Sequence, residues 1–421
     1  MKRSLKRVWL FIVAFTLMAT LLSGIGLAER KVQLSLWSVS SPEDSRGIWL
    51  NNVIKEYEAK NPNVQVNYVY STDETYKTKL QVAMFGGAGP DIFATWGFEH
   101  EAQFVRQGLL YDLTKTLGKD KWGLSKGTFS GHTFQGKIYA IPQDLQIGLV
   151  WYNKKMFDAN GWSAPKTWTE FLTLCEKIKA KNIIPVAMGG RDTWTILQPF
   201  MYMVDRIGGS KLYTDAKLGK TSFTNSVFVK AFGMIEELSK KAYLPKDVLS
   251  LGYDDAVQLM VQDKAAMEFM GDWLYNNLTD NLKRNLDEWD FFTFPLVDGG
   301  KGDPKAVIGA SDGFAVNKAC KNPDEAIKFM KFLYSEKNLV KYFKASGTFV
   351  TLAKPYLRKN DLVVKKKEAA IIANVSSMTG WWDQDLPRPM TQALLTSLQE
   401  VVGGAKAPKY AAQAIEDARK K

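Results

Sequence analysis

Val32-Gln33-Leu34-Ser35-Leu36-Trp37-Ser38 is the stretch that decides the architecture. Val32, Leu34 and Leu36 recur at every second position, the period of a strand with one face buried. Ser41, Pro42 and Asp44 follow as a capped helix start, and the helix should run through Tyr57. Asn61-Pro62-Asn63 is a turn, Val64, Val66 and Tyr68 alternate as a second strand, and Thr75 to Phe85 reads as a second helix. A third strand, Asp91 to Trp96, comes after the turn-forming Gly86-Gly87-Ala88-Gly89-Pro90. Farther along, Thr167 and Glu170 are spaced as a capping box for a helix to about Ala180. Asn322-Pro323 opens another helix with Ala326, Phe329, Met330 and Leu333 on one face. Strand and helix periods that alternate in this way predict an α/β fold.

The N-terminus carries a different message. Lys2, Arg3, Lys6 and Arg7 precede an unbroken apolar run from Val8 to Leu22, and Ser23, Gly24, Gly26 and Ala28 follow. Basic, apolar and small residues in that order form a secretory signal, with the cut expected after Ala28. An uncleaved anchor is the alternative, because Val8 to Ala28 is close to the roughly 20 residues that span a bilayer. No cysteine lies near the cut, which excludes lipid attachment there. Past this signal no apolar run approaches membrane-spanning length, so the mature protein is expected to be soluble. Export places it in the periplasm or outside the cell at its surface.

Loss of residues 1–28 lowers the formal net charge from +12 to +8. Basic and acidic residues are interspersed, and the longest basic run, Lys365 to Lys367, is short. This describes a solvated surface rather than a nucleic-acid footprint. Cys175 and Cys320 are the only cysteines, too few for a disulfide framework in an exported chain. Cys175 lies among Phe171, Leu174 and Ile178 at helical spacing, as a core thiol would. The mature length exceeds what one core supports, and with no repeat or low-complexity linker the two expected lobes should be interwoven.

Laid end to end, these segments resemble the family 1 extracellular solute-binding proteins of ABC importers, the group that includes the maltose-binding proteins. The resemblance rests on Gly89-Pro90-Asp91-Ile92-Phe93 and on Tyr139-Ala140-Ile141-Pro142 leading into Val150-Trp151-Tyr152-Asn153-Lys154-Lys155-Met156-Phe157. It continues through Gly161-Trp162, Pro165 to Phe171, Lys264-Ala265-Ala266-Met267, Gly271-Asp272-Trp273 and Gly309 to Phe314. Each pattern is loose; their common order and spacing carry the match.

The resemblance implies a two-lobed periplasmic-binding-protein fold, type II-like. The lobes are joined by hinge crossings near Leu145, near Phe294 and around Gly347 to Leu352. That assigns residues 29–144 and 295–348 to an N-terminal lobe, and residues 145–294 and 349–421 to a C-terminal lobe. It also implies an oligosaccharide or sugar ligand in the cleft, the transmembrane subunits of an ABC permease as partner, a monomeric state, and no cofactor or metal.

The chemistry of such a site can be argued from residues alone. A pyranose offers a face of C–H groups and an equator of hydroxyls, so a receptor needs flat rings beneath it and multi-acceptor side chains at its edge. Open α/β sheets place ligands where strands end and loops begin. Trp37 closes the first strand and Trp96 the third. Trp194 follows Gly189-Gly190 and Trp273 follows Gly271-Asp272, each at a helix start, at positions where the family's sugar binders often carry stacking aromatics. Trp381-Trp382 lies between Gly380 and Asp383, and alternation allows only one of the pair to face the cleft; Trp382 is the candidate. Asp144 and Gln146, two apart, share one strand face, and Asp312 and Asp383 complete the polar edge. Gln146 stands where maltose-binding relatives carry an acid, which argues against maltose specificity. Tyr76 and Glu99 are weaker candidates. Trp49, Trp151, Trp162 and Trp168 read as structural; Trp122 and Trp289 have no assignment.

A secreted polysaccharide hydrolase or lyase would also need tryptophans and carboxylates. The remaining catalytic inventory is thin: His100 and His132 are the only histidines, neither at metal-ligand spacing, and no Gly-x-Ser-x-Gly elbow occurs. A receptor for a peptide, polyol or sugar phosphate is the third class. Arg191 is the sole arginine near a proposed ring, which disfavours a phosphate ligand.

Overall fold

The computed structural model describes residues 31–280, 286–354, 356–357 and 363–421. The leader at residues 1–28 lies outside them. The elements that position the site are labelled in chain order. The first lobe opens with β1 (Val32–Ser38), α1 (Ser45–Lys60), β2 (Val64–Tyr70), α2 (Asp73–Phe85), β3 (Ile92–Thr95), α3 (Phe98–Arg106) and β4 (Ala140–Pro142). Then come β5 (Asp144–Asn153), α4 (Trp168–Lys179), β6 (Ile184–Ala187), α5 (Trp194–Gly208), α6 (Tyr253–Val261), β7 (Ala265–Gly271), β8 (Trp289–Phe292) and β9 (Val307–Ala310). The chain continues through β10 (Gly313–Val316), α7 (Pro323–Leu333), α8 (Glu336–Ser346), β11 (Phe349–Val350), β12 (Met378–Thr379), α9 (Trp382–Asp385) and α10 (Arg388–Val402).

Local chemistry explains the ends of these elements. Asp44 caps α1, its Oδ1 accepting from the Gly47 N–H at 2.7 Å. Trp49, Leu50, Val53, Ile54 and Tyr57 then recur at helical spacing and turn inward. Thr167 caps α4 by accepting from the Glu170 N–H, and Glu170 accepts from the Lys166 N–H, one residue short of the expected reciprocal partner. α7 buries Ala326, Phe329, Met330 and Leu333, as its sequence predicts.

Two sheets result. The first runs β2-β1-β3-β10-β4; the second runs β12-β9-β5-β7-β6, with β8 and β11 also paired to β5. β1 is parallel to β2 and β3, while β10 runs antiparallel between β3 and β4. Each sheet has its own packed layer: Leu36, Ile54, Ile92, Phe314 and Phe329 belong to one, and Phe171, Phe200, Phe232, Phe269 and Phe294 to the other. Cys175 and Cys320 are buried free thiols. No helix among the described residues is long and apolar enough to cross a membrane.

The long strand β5 joins the halves. Its first residues pair with β11 (Leu145 with Phe349) and β9 (Gln146 with Ala310), and its later residues pair with β7 and β8. The sheet change expected near Phe294 falls later than that. Phe294 stacks on Tyr202 and Trp168 inside the second core, and β9 still pairs with β5. The chain moves to the first sheet only at Ser311-Asp312, because Gly313 is the first residue to pair with β3 and β4. His132 holds this junction, its Nε2 donating to the Ser311 carbonyl at 3.0 Å while Nδ1 meets Glu101 at 2.8 Å.

Glycine is required just past the junction. A Cβ on Gly313 would lie 2.2 Å from the carbonyl oxygen of Ile141 in β4, closer than two such atoms can approach. Gly313→Ala should therefore cost about 1–3 kcal/mol of stability as β10 is pushed off β4. Chemical denaturation measures this, and an unchanged midpoint and slope would show that the pairing has slack.

Candidate functional site

The candidate residues fall into three groups. The first is polar. Asp144 opens β5 and is almost fully buried; its Oδ2 accepts from the Tyr342 hydroxyl at 2.8 Å and its Oδ1 from the Asp312 N–H at 3.3 Å. Gln146 is buried too, and its side chain hydrogen-bonds both Asp144 and Asp312, so the expected shared face of 144 and 146 is present. Asp312 is half-buried, and its Oδ1 has no protein partner.

Burial lifts the Asp144 carboxyl to about 6, against the Tyr342 hydrogen bond and the Arg46 charge that pull it down. Burial and then the neighbouring Asp144 push Asp312 well above the ordinary range. Arg46, in the first turn of α1, is the nearby cation. Burial works against its charge, but Tyr342, Asp44, Asp144 and Asp312 more than offset this. A group that binds its proton more tightly when folded contributes stability that is full below its unfolded pKa. That contribution is lost as pH rises through the folded value. Asp144→Asn should thus gain melting temperature relative to the unmutated protein as pH rises from about 4 to about 7. A difference independent of pH would show that Asp144 carries no such shift.

The second group is aromatic and belongs to the second sheet. Trp194 begins α5 just beyond the carboxyl end of β6, and Trp273 follows the carboxyl end of β7. Their ring centroids are 6.1 Å apart, and Tyr253, the first residue of α6, lies 5.1 Å from Trp194. Trp381 meets Trp273 edge-on at 5.5 Å. Trp194 and Trp273 keep part of their surface exposed.

Trp382, the sequence candidate, is not in this group. It stacks face to face on Tyr213 at 4.0 Å and 9°, with Phe200 edge-on at 5.8 Å, and is 1% exposed. The alternation expected for the pair does not apply: Trp382 begins a helix, and both rings are buried in the second core, Trp381 at 4% exposed beside Trp273. Trp382→Ala should accordingly cost about 3–5 kcal/mol of stability, the range for an aromatic ring removed from a packed core. A loss under about 1 kcal/mol in a denaturation experiment would contradict that placement.

The third group lies at the carboxyl ends of β1 and β3. Trp37 and Trp96 are both half-buried against the same cluster and share Tyr76 as neighbour. Gly97 makes the turn after Trp96 possible: its φ is +72°, and a Cβ there would come within 2.7 Å of the Gly131 carbonyl. Tyr76 itself is core, 1% exposed, its hydroxyl donating to the Ala94 carbonyl at 2.7 Å. Glu99 is taken up by an ion pair with Arg106.

Asp383 connects this group to the other lobe. It accepts from Gln384 Nε2 at 2.7 Å and lies 3.9 Å from Lys77 Nζ, which sits 5.4 Å from the Trp96 ring centroid. Burial raises the Asp383 carboxyl despite Lys77. Farther out, Arg388 of α10 donates to the Gln81 side-chain oxygen of α2. The two lobes therefore touch through side chains along this edge.

Of the tryptophans read as structural, Trp49, Trp151 and Trp168 are buried and Trp162 packs on Phe157. Trp289 is buried in β8, and Trp122 donates its Nε1–H to the Thr116 carbonyl. Sequence reasoning did not single out Arg46, Lys77 or Tyr253 as neighbours of these candidate groups. Arg46 looks like an ordinary first-turn residue after a cap, and only the chain near 144 and 312 makes it part of a site. Among the described residues there is no cluster of three or more metal-ligating side chains.

Residues 41–339 match the bacterial extracellular solute-binding protein family. The chain belongs to that family. The multiple sugar-binding protein of Streptococcus mutans is 25% identical over 333 residues, spanning 77% of this chain and 76% of that one. A structure determined in a study of xylan utilisation by Caldanaerobius polysaccharolyticus is 26% identical. It superposes with a TM-score of 0.87 over 92% of this chain and 99% of that one. A chitin oligosaccharide binding protein superposes with a TM-score of 0.85 at 25% identity, over 93% and 98% of the two chains. The two-lobed α/β architecture is that of this family.

Proposed function

We propose that this protein captures an oligosaccharide or short sugar between its lobes and delivers it, chemically unchanged, to the transmembrane subunits of an ABC-type permease. The observation that carries this reading is the contact between Trp194 and Trp273, both partly exposed, at the carboxyl ends of β6 and β7. Beside them, the strand that joins the lobes begins with Asp144 and Gln146. Rings supply the apolar face a pyranose needs, and carboxylates with an amide supply acceptors and donors for vicinal hydroxyls. An ionised carboxylate that accepts two hydroxyls makes bonds stronger than neutral ones. The relatives named for sugars, xylan and chitin oligosaccharides support the same ligand class.

The layout supports hinge closure. The chain changes sheets around Gln143 and at Ser311-Asp312, and β11 adds a third strand against the start of β5. A few residues at these points can absorb the rotation of one lobe on the other. Ligand shifts the population toward the closed form only by its differential affinity for it, and the closed form is the one the permease would read. The N-terminal leader fits export with cleavage after Ala28, so the protein would act, as a monomer in this reading, in the periplasm or at the cell surface.

A thermal-shift panel of neutral mono- and oligosaccharides tests the reading, since a ligand that binds only the folded state raises its melting temperature. At least one saccharide should do so, and chromatography after incubation should recover that saccharide unaltered. Trp273→Ala should weaken its binding by roughly tenfold or more, about 1.4 kcal/mol or above, with little change in the melting temperature of the free protein. A dissociation constant unchanged by the substitution would remove Trp273 from the site.

A further inference from the structure

Behind Trp273 lies a cluster of ionisable side chains that saccharide capture does not use. Asp272 and Glu368 are completely buried, and Lys365 is 2% exposed. Lys365 and Glu368 sit three apart on the inward face of the helix Val363–Ala373, and Lys365 Nζ donates to Glu368 Oε2 at 2.9 Å. The ammonium also lies 4.4 Å from the centroid of the Tyr275 ring and 5.7 Å from that of Phe349 in β11. Lys365, first of the basic run expected to be solvated, is therefore turned inward.

Asp272 reaches the other way, to the strand that joins the lobes. Its N–H donates to the Ile147 carbonyl at 3.0 Å, and its Oδ1 accepts from the Ile147 N–H at 3.3 Å. Ile147 follows Gln146 in β5 and Trp273 follows Asp272, so this one residue stands between the polar edge and the partly exposed rings. Gly347, just before β11, packs on the same cluster: a Cβ there would lie 2.7 Å from Tyr275 Cε1 and 3.1 Å from Lys365 Cε.

Among the described residues no N–H or hydroxyl donor meets Asp272 Oδ2 or Glu368 Oε1. The two carboxyls are instead hydrogen-bonding neighbours of one another, which is possible only if one keeps its proton. Charge gives the same answer. With both ionised, Lys365 alone would face two negative charges out of water, and Asp144 in β5 adds its repulsion. Burial first, then Glu368, hold the Asp272 carboxyl well above the ordinary carboxylate range. Tyr275 and Tyr356 also border the cluster; burial and the nearby acids, Asp287 among them for Tyr275, push both hydroxyls up, so they stay neutral.

We propose that Asp272 is a positioning residue for saccharide capture, and that the proton it shares with Glu368 keeps the Trp273 ring in register with Asp144 and Gln146. The proposal rests on the saccharide reading above. While the proton is held, Asp272 donates to Glu368, Glu368 accepts from Lys365, and the helix Val363–Ala373 stays clamped to the end of β7. Once it leaves, two like charges face each other in a dry site, and relief comes from water entry or movement at the Asp272-Trp273 turn. Saccharide affinity is therefore full where Asp272 is protonated and falls as pH rises through its titration.

The experiment measures dissociation constants of a saccharide that raises the melting temperature, from pH about 6 to about 9, for the mature chain, Asp272→Asn and Asp272→Ala. Asn reproduces the protonated acid, accepting from Ile147 and donating to Glu368, but has no proton to lose. Across that range the unmutated protein should lose about tenfold in affinity and Asp272→Asn less than about threefold, while Asp272→Ala should bind roughly tenfold more weakly throughout. Asp144 and Asp312 titrate in all three proteins, so the difference between profiles isolates Asp272. Infrared difference spectra of the unmutated protein against Asp272→Asn should contain a carboxylic-acid carbonyl band that fades as affinity falls. Parallel pH profiles for these two proteins, no acid band, or undiminished binding by Asp272→Ala would overturn the proposal while leaving saccharide capture intact. Melting temperatures check that Asp272→Ala folds; if it does not, the Asn profile and the band decide. If no saccharide bound at any pH, capture and its pH dependence would fall together.

Discussion

The carboxylate of Asp144 fixes where the two halves of the molecule meet. It stands at the first residue of β5, accepts from the Asp312 N–H at the point where the chain changes sheets, and accepts from the Tyr342 hydroxyl on α8. One buried group thereby ties together segments almost two hundred residues apart in sequence. Burying it is expensive, which shows in its raised pKa, and Arg46 with Gln146 offsets part of that cost. At the same junction the buried Oδ1 of Asp312 accepts no hydrogen bond from the protein.

Around that junction the fold supplies what polar groups alone lack. The carboxyl ends of β6 and β7 present Trp194 and Trp273, and those of β1 and β3 present Trp37 and Trp96. Strand direction, not local loop chemistry, puts these rings at the carboxyl edges of both sheets. The rim is closed by polar pairs, Lys77 with Asp383 and Arg388 with Gln81, so side chains of both lobes would act together on anything held between them.

Much of this is written in sequence periodicity. Strand alternation at Val32–Ser38 and Val64–Tyr70, the Asp44 and Thr167 caps, and the α7 face all follow from spacing alone. Choices that depend on distant partners do not. Trp381 and Trp382 carry the same local signal as candidate ligand rings, and it is their distant partners, Tyr213 and Phe200 for Trp382 and Trp273 for Trp381, that place both in the core. The change of sheet at Ser311 hides inside a run, Val307 to Val316, that reads as apolar strand on both sides. Arg46 and Lys77 look like surface helix residues until Asp144, Asp312 and Asp383 are brought beside them.

Capture between lobes makes a demand that one experiment reads directly. Hydrogen–deuterium exchange, recorded with and without a saccharide that raises the melting temperature, should show slowed exchange in both lobes at once. The protected segments should be those around Trp96, the start of β5, and the turns leading into Trp194 and Trp273. Protection confined to one lobe, or centred away from the junction, would contradict a ligand held across it.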